Sequence, residues 1–228
     1  RIDASGNVGI GTAVPTALRS TNLEVYNASG SALIAGTATT SIATVRLARH
    51  DASEGWDINY NHPSAGVLSF SKLGTGAGVK AIFDASGRVT MAAQPRFLVQ
   101  LGSDQTNYVG VTANTVVVFD NAVQNIGSHF NTSTGKFTAP VAGMYAFQAS
   151  AITSGTAFTQ AWLVINDARA SYTDFAVGST GIVMGGITWI HFLSANDTVG
   201  FHPYVNNSSA QTVQANALHT WFKGYLIS

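Results

Sequence analysis

Hydrophobic and polar residues alternate in short runs along much of the chain. The segments Ala43–Arg49 and Trp56–Tyr60 alternate apolar and polar positions, and the largely apolar segments Arg96–Leu101 and Ala161–Asn166 also predict strands. A period of two residues is typical of β-strands that bury one face. Gly, Asn, Asp, Ser and Pro residues separate these runs and predict turns. The pattern therefore predicts an all-β protein.

The densest pattern lies in the segment FDNAVQNIGSHFNTSTGKFTAPVAGMYAF, which begins at residue 119. Its apolar anchors are Phe119, Phe130, Phe137, Tyr145 and Phe147, and turn-forming residues separate them. Tyr145 and Phe147 fall on one face of a predicted strand. Residues 131–136 predict a loop with a glycine where a positive φ is needed, and a proline at position 140 excludes a helix before Tyr145. Two strands joined by a turn are expected.

The spacing of these anchors resembles the globular head domain of complement component 1, q subcomponent, a trimeric jelly roll related to the tumour-necrosis-factor fold. The matching positions are Phe119, Asn125, Phe130, Phe137, Gly143, Tyr145 and Phe147. Ala149 departs from the family pattern, which usually has another aromatic residue there. The last strand, Trp221–Ile227, is similar to the family's closing Phe-x-Gly-x-Leu. The resemblance implies a ten-stranded-type jelly-roll β-sandwich over residues 94–228.

The same resemblance implies which aromatic residues form the core and the subunit contacts of a homotrimer. These scaffold residues are Phe119, Phe130, Phe137, Tyr145, Phe147, Trp221, Phe222 and Tyr225.

Composition narrows the classes of function. Only 10% of the 228 residues are charged, with eleven of each sign, so no basic surplus is available to neutralise nucleic-acid phosphates. The chain has no cysteine, which excludes a disulfide framework and a thiolate metal site. No apolar run reaches the roughly 20 residues that span a bilayer. Because the sequence starts at Arg1 rather than Met, we expect a fragment of a longer polypeptide.

Three similar turn phrases mark the first part of the chain: Asp3–Gly6, Asn27–Gly30 and Asp84–Gly87. They predict hairpins that bracket a small domain. We therefore divide the chain into a hairpin connector over residues 1–20, a small β domain over 21–93 and the jelly-roll domain over 94–228. The phrase Asp3–Thr12 resembles a repeat common in bacteriophage tail fibres. Its glycines do not predict a phosphate loop, because no Lys-Ser/Thr follows them.

The predicted small domain has about five short strands, too few to cover its own edges or to bury much surface. Association about a threefold axis would solve both problems. The sequence therefore predicts that the small domain, like the jelly roll, belongs to a homotrimer.

Candidate catalytic residues are few. Ser194, His191 and Asp197 are close in sequence, but a strand and its turn do not make the three converge in a cleft. The acids Asp51, Glu54 and Asp57 cluster near a tryptophan, which is equally expected of the rim of a turn. We therefore predict a binding protein rather than an enzyme.

No cofactor and no metal site within a single chain are expected, because the six histidines include no zinc motif. An ion on the threefold axis, held by one residue from each chain, stays an open alternative. Its candidate ligands are His191, His202 and Asp197.

The resemblance implies that alternate loops project from the end of the jelly roll opposite its termini, and binding is expected there. These are residues 153–158, 176–181 and 205–214, since loops on a rigid scaffold commonly carry recognition. Hydroxyl, amide and aromatic side chains there suit a sugar ligand. The candidate ligand-binding residues are Phe158, Tyr172, Asp174, Tyr204, Asn206, Asn207, Ser208 and Gln211.

The combined features predict the receptor-binding distal part of a trimeric bacteriophage tail fibre. The expected location is the virion, after assembly in the host cytoplasm. The expected partners are the rest of the phage tail and a receptor on the host bacterial surface, with a glycan favoured; nucleic acid and membrane insertion are not expected. A structural or adhesive protein of a bacterial or spore surface is the first alternative. A capsule depolymerase is the second.

Overall fold

The computed structural model describes residues 43–48, 53–60, 65–110, 115–154, 160–174, 186–204 and 208–228. Within these ranges the secondary structure is entirely β, with eighteen strands. The chain forms two compact units, Arg1–Ala92 and Ala93–Ser228. The predicted all-β class is confirmed. The predicted boundary between residues 20 and 21 lies outside the described residues.

The first unit contains an antiparallel sheet in which each strand pairs with the next along the chain. Its strands are β1 (Ala43–Ala48), β2 (Gly55–Tyr60), β3 (Leu68–Leu73), β4 (Gly78–Phe83) and β5 (Val89–Thr90). The predicted turn Asp84–Gly87 joins β4 to β5. Its glycine has a φ of 77°, and Oδ1 of Asp84 accepts a hydrogen bond from the Ser86 backbone N–H at 2.8 Å. The tight turn predicted from this phrase is confirmed.

The two faces of this sheet differ sharply in polarity. On one face, Arg46 donates two hydrogen bonds to the buried carboxylate of Asp57 at 2.8 and 2.9 Å, and the buried Asn59 donates to Ser71 at 3.1 Å. Residues directly paired across strands share a face. The register therefore assigns the partly exposed apolar side chains to the opposite face, in the rows Leu47–Trp56 and Tyr60–Leu68–Phe83. The sheet thus exposes its apolar face within the single chain.

The second unit is a sandwich of two five-stranded antiparallel sheets with a smaller three-stranded sheet. The strands are β6 (Arg96–Gln100), β7 (Gln105–Tyr108), β8 (Asn121–Ile126), β9 (Phe130–Asn131), β10 (Lys136–Thr138), β11 (Gly143–Ser150), β12 (Thr153–Ser154), β13 (Gln160–Ile165), β14 (Ala168–Asp174), β15 (Ile187–Leu193), β16 (Thr198–Tyr204), β17 (Gln211–Val213) and β18 (Trp221–Leu226). The sheet orders are β15-β11-β18-β6-β8, β14-β13-β16-β10-β9 and β12-β17-β7. We name the first the F-sheet and the second the R-sheet.

Aromatic rings from both large sheets fill the space between them. The Phe97 ring of the F-sheet stacks on Phe137 of the R-sheet at 5.0 Å and meets the edge of Phe222 at the same distance. Six of the predicted scaffold residues are buried there: Phe119, Phe130, Phe137, Tyr145, Phe147 and Phe222. Apolar burial of this kind supplies the main stabilising free energy of a β-sandwich. The predicted jelly-roll sandwich is confirmed.

Two of the predicted scaffold residues do not lie in the core of the sandwich. Tyr225 is 51% exposed and is not a core residue of the chain. Trp221 is only partly buried. Both alternate along β18 with the buried Phe222 and Gly224, so they point away from the sandwich interior. A strand that packs one face against the core must turn every second side chain outward.

Local turn chemistry holds the anchors of the densest motif in place. The side-chain amide of Asn125 donates to the Phe130 carbonyl at 2.9 Å and accepts from the Phe130 N–H at 3.0 Å. Gly135 adopts a φ of 70°, as predicted, and a Cβ there would collide with the Val117 carbonyl oxygen. These contacts close the β8–β9 and β9–β10 turns and set the register that directs Phe130 and Phe137 inward.

Candidate functional site

The described residues include five of the eight predicted ligand-binding residues. Tyr172 and Asp174 lie on β14, the edge strand of the R-sheet, and Tyr204 lies at the end of β16. Ser208 is exposed beyond β16. Phe158, Asn206 and Asn207 lie outside the described residues.

The prediction for Gln211 is wrong in one respect. This residue was expected in a solvent-facing loop, but it begins strand β17 and is buried. Its side-chain amide donates to the Ser209 carbonyl at 3.2 Å. Strand β17 (Gln211–Val213) pairs with β12 and β7. The polar sequence after Tyr204 predicted only a loop, whereas part of it forms the three-stranded sheet.

Two aromatic rings stack on the outer face of the R-sheet. The Trp162 and Tyr172 ring centroids are 4.4 Å apart with 27° between the planes, because the register pairs these residues directly across β13 and β14. Tyr172 is 52% exposed, so this stacked pair presents an aromatic surface to solvent. Exposed aromatic faces are suited to packing against the C–H faces of a sugar ring.

A polar chain fixes the indole of this pair. The Trp162 Nε1–H donates to Oε1 of Gln160 at 2.9 Å, and Nε2 of Gln160 donates to the Asp174 carboxylate at 2.8 Å. Asp174 therefore acts on the neighbouring aromatic residues through Gln160. The predicted ligand-binding residue has a positioning contact that sequence spacing did not reveal.

Arg169 lies at the centre of the same surface. Its Cζ atom is 5.0 Å from the ring centroid of Trp162 and 5.0 Å from that of Tyr204. The structure thus brings Tyr172, Trp162, Arg169 and Tyr204 together, and we name this set the aromatic–arginine cluster. Guanidinium groups commonly stack on aromatic faces in this way and keep their N–H donors at the edge of the plane.

Sequence reasoning missed Arg169 and Trp162. The register shifts between Leu163 and Val164, so Arg169 pairs with Val164 while Tyr172 pairs with Trp162. This bulge brings Arg169 and Tyr172, which are three residues apart, to the same face of an edge strand. Regular alternation predicts opposite faces for that spacing, so the sequence carried no signal for the cluster.

A buried histidine supports the cluster from beneath. His202 Nδ1 contacts the Thr115 carbonyl oxygen and lies 3.0 Å from the Tyr108 hydroxyl, while its Nε2 is 3.5 Å from Nη2 of Arg169. Since a carbonyl only accepts hydrogen bonds, Nδ1 carries the proton and Nε2 faces the guanidinium as an acceptor. Burial lowers the pKa of His202 below its usual 6.5, and the Arg169 charge lowers it further against the opposing effect of the Thr115 carbonyl. A neutral imidazole therefore packs under Arg169.

The geometry of Ser194, His191 and Asp197 is that of a turn. The Asp197 carboxylate accepts hydrogen bonds from the Ser194 backbone N–H at 2.7 Å and from the Asn166 side chain at 2.8 Å. These two bonds, with the Asn166 contact first, lower the pKa of Asp197. Among the described residues, no side-chain hydrogen bond joins these three residues into a nucleophile–base relay.

The acids near Trp56 are engaged in ion pairs. Glu54 accepts from Lys72 Nζ at 2.7 Å, and Asp57 pairs with Arg46. Their pKa values are lowered mainly by these hydrogen bonds. A general acid needs a raised pKa, so neither carboxyl group is prepared to act as the general acid of glycoside hydrolysis. Asp51 lies outside the described residues.

Two other kinds of feature are absent from the described residues. No group of three or more His, Cys, Asp or Glu side chains there could hold a metal ion within one chain. No helix in that part of the chain is long and apolar enough to cross a membrane.

Two facing antiparallel sheets around an aromatic core define a jelly-roll protein, and the aromatic–arginine cluster lies on an outer face of one sheet. The family model described as C1q domain matches residues 97–227. The chain therefore belongs to the C1q-domain family. The matched residues lie within the second compact unit.

Two curated relatives match a shorter stretch of the chain. A complement C1q subcomponent polypeptide of Mus musculus is 42% identical over 76 residues, and its Rattus norvegicus counterpart is 38% identical over 76 residues. Each match covers 33% of this chain and 30% of the relative. The aligned part is thus under a third of these relatives' length.

Solved structures with a similar fold include two from different proteins. The globular domain of zebrafish complement 1qA protein has a TM-score of 0.42 and 20% identity, covering 59% of this chain and 98% of that chain. Murine APRIL at pH 5.0 has a TM-score of 0.42 and 10% identity, covering 59% of this chain and 99% of that chain.

Proposed function

We propose that this chain is the distal, receptor-binding part of a trimeric bacteriophage tail fibre, with the C1q domain as its tip. The observation that carries the proposal is an exposed apolar surface on the outer face of the F-sheet. Ile190 and Phe192 of β15 are 60% and 57% exposed, and the register places Ile190, Ala146 and Tyr225 in one row across three strands. Ala146 is already buried, but Ile190, Phe192 and Tyr225 are more than half exposed. A monomer rarely leaves large apolar side chains together in water, whereas an oligomer buries them.

A pocket where β6 begins and β18 ends also supports an assembly of copies. The pocket has a volume of about 380 Å³ and is lined by Gln94, Pro95, Arg96, Tyr225, Leu226 and Ile227. Tyr225 and Ile227 are each about half exposed. Complementary side chains from a second copy would fill this pocket and cover both residues.

The first unit supports the same interpretation independently. The rows Leu47–Trp56 and Tyr60–Leu68–Phe83 are apolar and partly exposed, while the opposite face of the sheet holds a hydrogen-bonded polar network. This polarity suits a sheet whose apolar face turns towards other copies about a shared axis.

Adhesion is the proposed role of the tip. The tail-fibre-like phrase Asp3–Thr12 and its relative Asp84–Gly87 favour a virion component over a cell-surface protein of a bacterium or spore. We propose a host-surface glycan as the receptor and the rest of the phage tail as the structural partner. Three copies of the binding surface in each tip and several fibres in each particle would multiply modest single-site affinity through effective concentration.

Two measurements test this proposal. Sedimentation equilibrium should give three times the 23.8 kDa chain mass. The purified protein should also adsorb to host cells and compete with phage infection. A monodisperse monomer at micromolar concentration would contradict the fibre assignment.

The same preparation separates the competing roles. Shortening of capsular polysaccharide that is abolished in Glu54→Gln and Asp57→Asn variants would establish a depolymerase instead. A trimer that adsorbs to no host cell and blocks no infection would favour a structural surface protein.

A further inference from the structure

Arg169 has no acidic partner within its unit. Residues 93–228 contain five aspartates and no glutamate, and all five lie within the described ranges. Other residues donate hydrogen bonds to every one of them: Ala215 to Asp104, Gly102 to Asp120, Lys136 to Asp167, Gln160 to Asp174, and Asn166 with Ser194 to Asp197. The guanidinium is therefore a positive charge that this unit does not neutralise through a salt bridge.

The hydrogen-bond donors of Arg169 are also poorly used. Nε is buried without a partner, and Nη2 has only the 3.5 Å contact with His202. Because Nε is closed to solvent, an external acceptor would meet the guanidinium at its Nη nitrogens.

Arg46 in the first unit shows what such a guanidinium binds when an acid is present. Its Nε and Nη2 donate to the two carboxylate oxygens of Asp57 at 2.8 and 2.9 Å. This is the bidentate geometry that a planar fork forms with a planar carboxylate. Arg169 has no carboxylate partner among the described residues, and because its Nε is buried, an incoming carboxylate would bind at the Nη nitrogens instead.

The surroundings of Arg169 select the rest of the ligand. Trp162 and Tyr204 flank the guanidinium at 5.0 Å, and Tyr172 extends the aromatic surface with a half-exposed ring. Aromatic faces next to a carboxylate receptor match a pyranose ring that bears a carboxyl group. A bare inorganic anion would leave the exposed ring of Tyr172 without a contact.

We propose that the aromatic–arginine cluster is a binding site for a carboxylate-bearing saccharide. Arg169 forms the charge-assisted hydrogen bonds to the carboxylate, and Tyr172 packs against the sugar face. Trp162, held by Gln160, positions both groups. This assignment rests on the proposed adhesive function only for the biological source of the saccharide, and it names the class of glycan that the tip would recognise.

Titration calorimetry of the assembled protein tests the site. The test ligand is an oligogalacturonate, and the matched control ligand is the same oligosaccharide with its carboxyl groups methyl-esterified. We expect measurable binding of the acid and at least roughly tenfold weaker binding of the ester, since a hydrogen bond to a charged group contributes about 1.5–3 kcal/mol. Equal affinity for acid and ester would overturn the proposal.

Variants assign the effect to the cluster. Arg169→Gln should weaken oligogalacturonate binding roughly tenfold or more, and Arg169→Lys should recover only part of it because lysine lacks the planar fork. Lys223→Gln is the matched control: it also removes a cation that lies over a tryptophan ring, 4.8 Å from Trp221, but on the F-sheet. Unchanged binding in Arg169→Gln, or an equal loss in Lys223→Gln, would contradict the assignment.

A second ligand pair separates the saccharide from a general anion site. Inorganic phosphate and glucose 6-phosphate should compete weakly with oligogalacturonate, and Tyr172→Ala should weaken the oligosaccharide without changing phosphate binding. Tight binding of inorganic phosphate, together with unchanged oligosaccharide binding in Tyr172→Ala, would establish a general anion site and overturn the proposal of a saccharide site.

Failure of this site and failure of the fibre function give different results. A monomer, or a trimer that ignores host cells, can still bind oligogalacturonate through Arg169. If the wild-type protein and the Arg169→Gln variant are both trimers and adsorb equally well to host cells, the fibre function is retained and this site is rejected.

Discussion

Gly224 of β18 pairs directly with Phe147 of β11, and a Cβ atom placed on Gly224 would come within 2.6 Å of the Phe147 ring. The Phe97 ring on the other side would be 2.8 Å away. The closing strand therefore needs glycine for space rather than for backbone freedom. Two aromatic rings of the core occupy the volume that any side chain would fill.

Replacing Gly224 with alanine should destabilise the C1q domain by about 1–3 kcal/mol, because overpacking forces the two rings to move. Urea denaturation of the purified protein measures this loss. Gly186→Ala is the control, since its nearest atoms would lie at an ordinary 3.6 Å. Equal stability of the two variants would contradict the steric explanation.

Replacing Phe147 with alanine should cost about 3–5 kcal/mol, because the ring is fully buried among other aromatic residues. The loss should appear as unfolding of the domain and dissociation of the trimer together. Calorimetric melting and sedimentation on the same samples measure both. A folded trimer with selectively lost ligand binding would show that Phe147 belongs to the site instead.

Asn125→Asp should destabilise the β8–β9 turn. Asparagine both donates to and accepts from the backbone of Phe130, whereas an ionised aspartate cannot donate and would face the Phe130 carbonyl oxygen at 2.9 Å. We expect a loss of about 1–3 kcal/mol near neutral pH, measured by urea denaturation. The two side chains have the same shape. A variant as stable as wild type would therefore show that the hydrogen bond from the Asn125 amide to the Phe130 carbonyl does not stabilise the domain.

Ile190→Arg should shift the proposed trimer towards a folded monomer, because it would bury an unpaired charge in the contact between copies. Sedimentation velocity against concentration measures the shift. Tyr172→Arg is the control, since Tyr172 has similar exposure but lies on the R-sheet. Dissociation by Tyr172→Arg and not by Ile190→Arg would place the contact between copies on the R-sheet and contradict the prediction.

The stability of the C1q domain should fall as the pH drops below about 6.5, the ordinary pKa of histidine. His202 has a lowered pKa in the folded protein, mainly because it is buried, so the unfolded chain binds a proton that the folded chain excludes. Above that pH both states are neutral and the contribution vanishes. Unfolding free energies across pH measure the slope, and His202→Gln should reduce it. An unchanged slope in that variant would exclude His202 as its source.

Sequence periodicity predicted the strands of the core well because a buried strand must repeat its apolar residues every second position. The run around Tyr145 and Phe147 shows this directly, since both residues lie inward on β11. The family resemblance assigned Tyr225 to the set of core and subunit-contact residues, and its position on β18 turns it away from the core. Aromatic identity alone does not distinguish the two faces of a strand.

The candidate site was only partly predictable. Tyr172 and Tyr204 were identified from their polar surroundings, while Arg169 and Trp162 were not. A one-residue bulge in β14 brings Arg169 to the face that Tyr172 occupies, and β13 supplies Trp162 between two neighbouring strands. Such a bulge leaves no clear mark on the hydrophobic pattern.

The sequence by itself determined the β-class, the positions of the core aromatics, the turns at Gly87 and Gly135, and the family to which the motif belongs. The class, the core positions and the turns follow from local backbone preference and from the period of two, whereas the family follows from the resemblance of the motif to a known domain. Only the tertiary structure decided which outward faces are apolar and which residues meet across strands. The grouping of Arg169 with two aromatic rings depends on the register of three paired strands, and register arises from the packing of the whole sandwich rather than from any single segment.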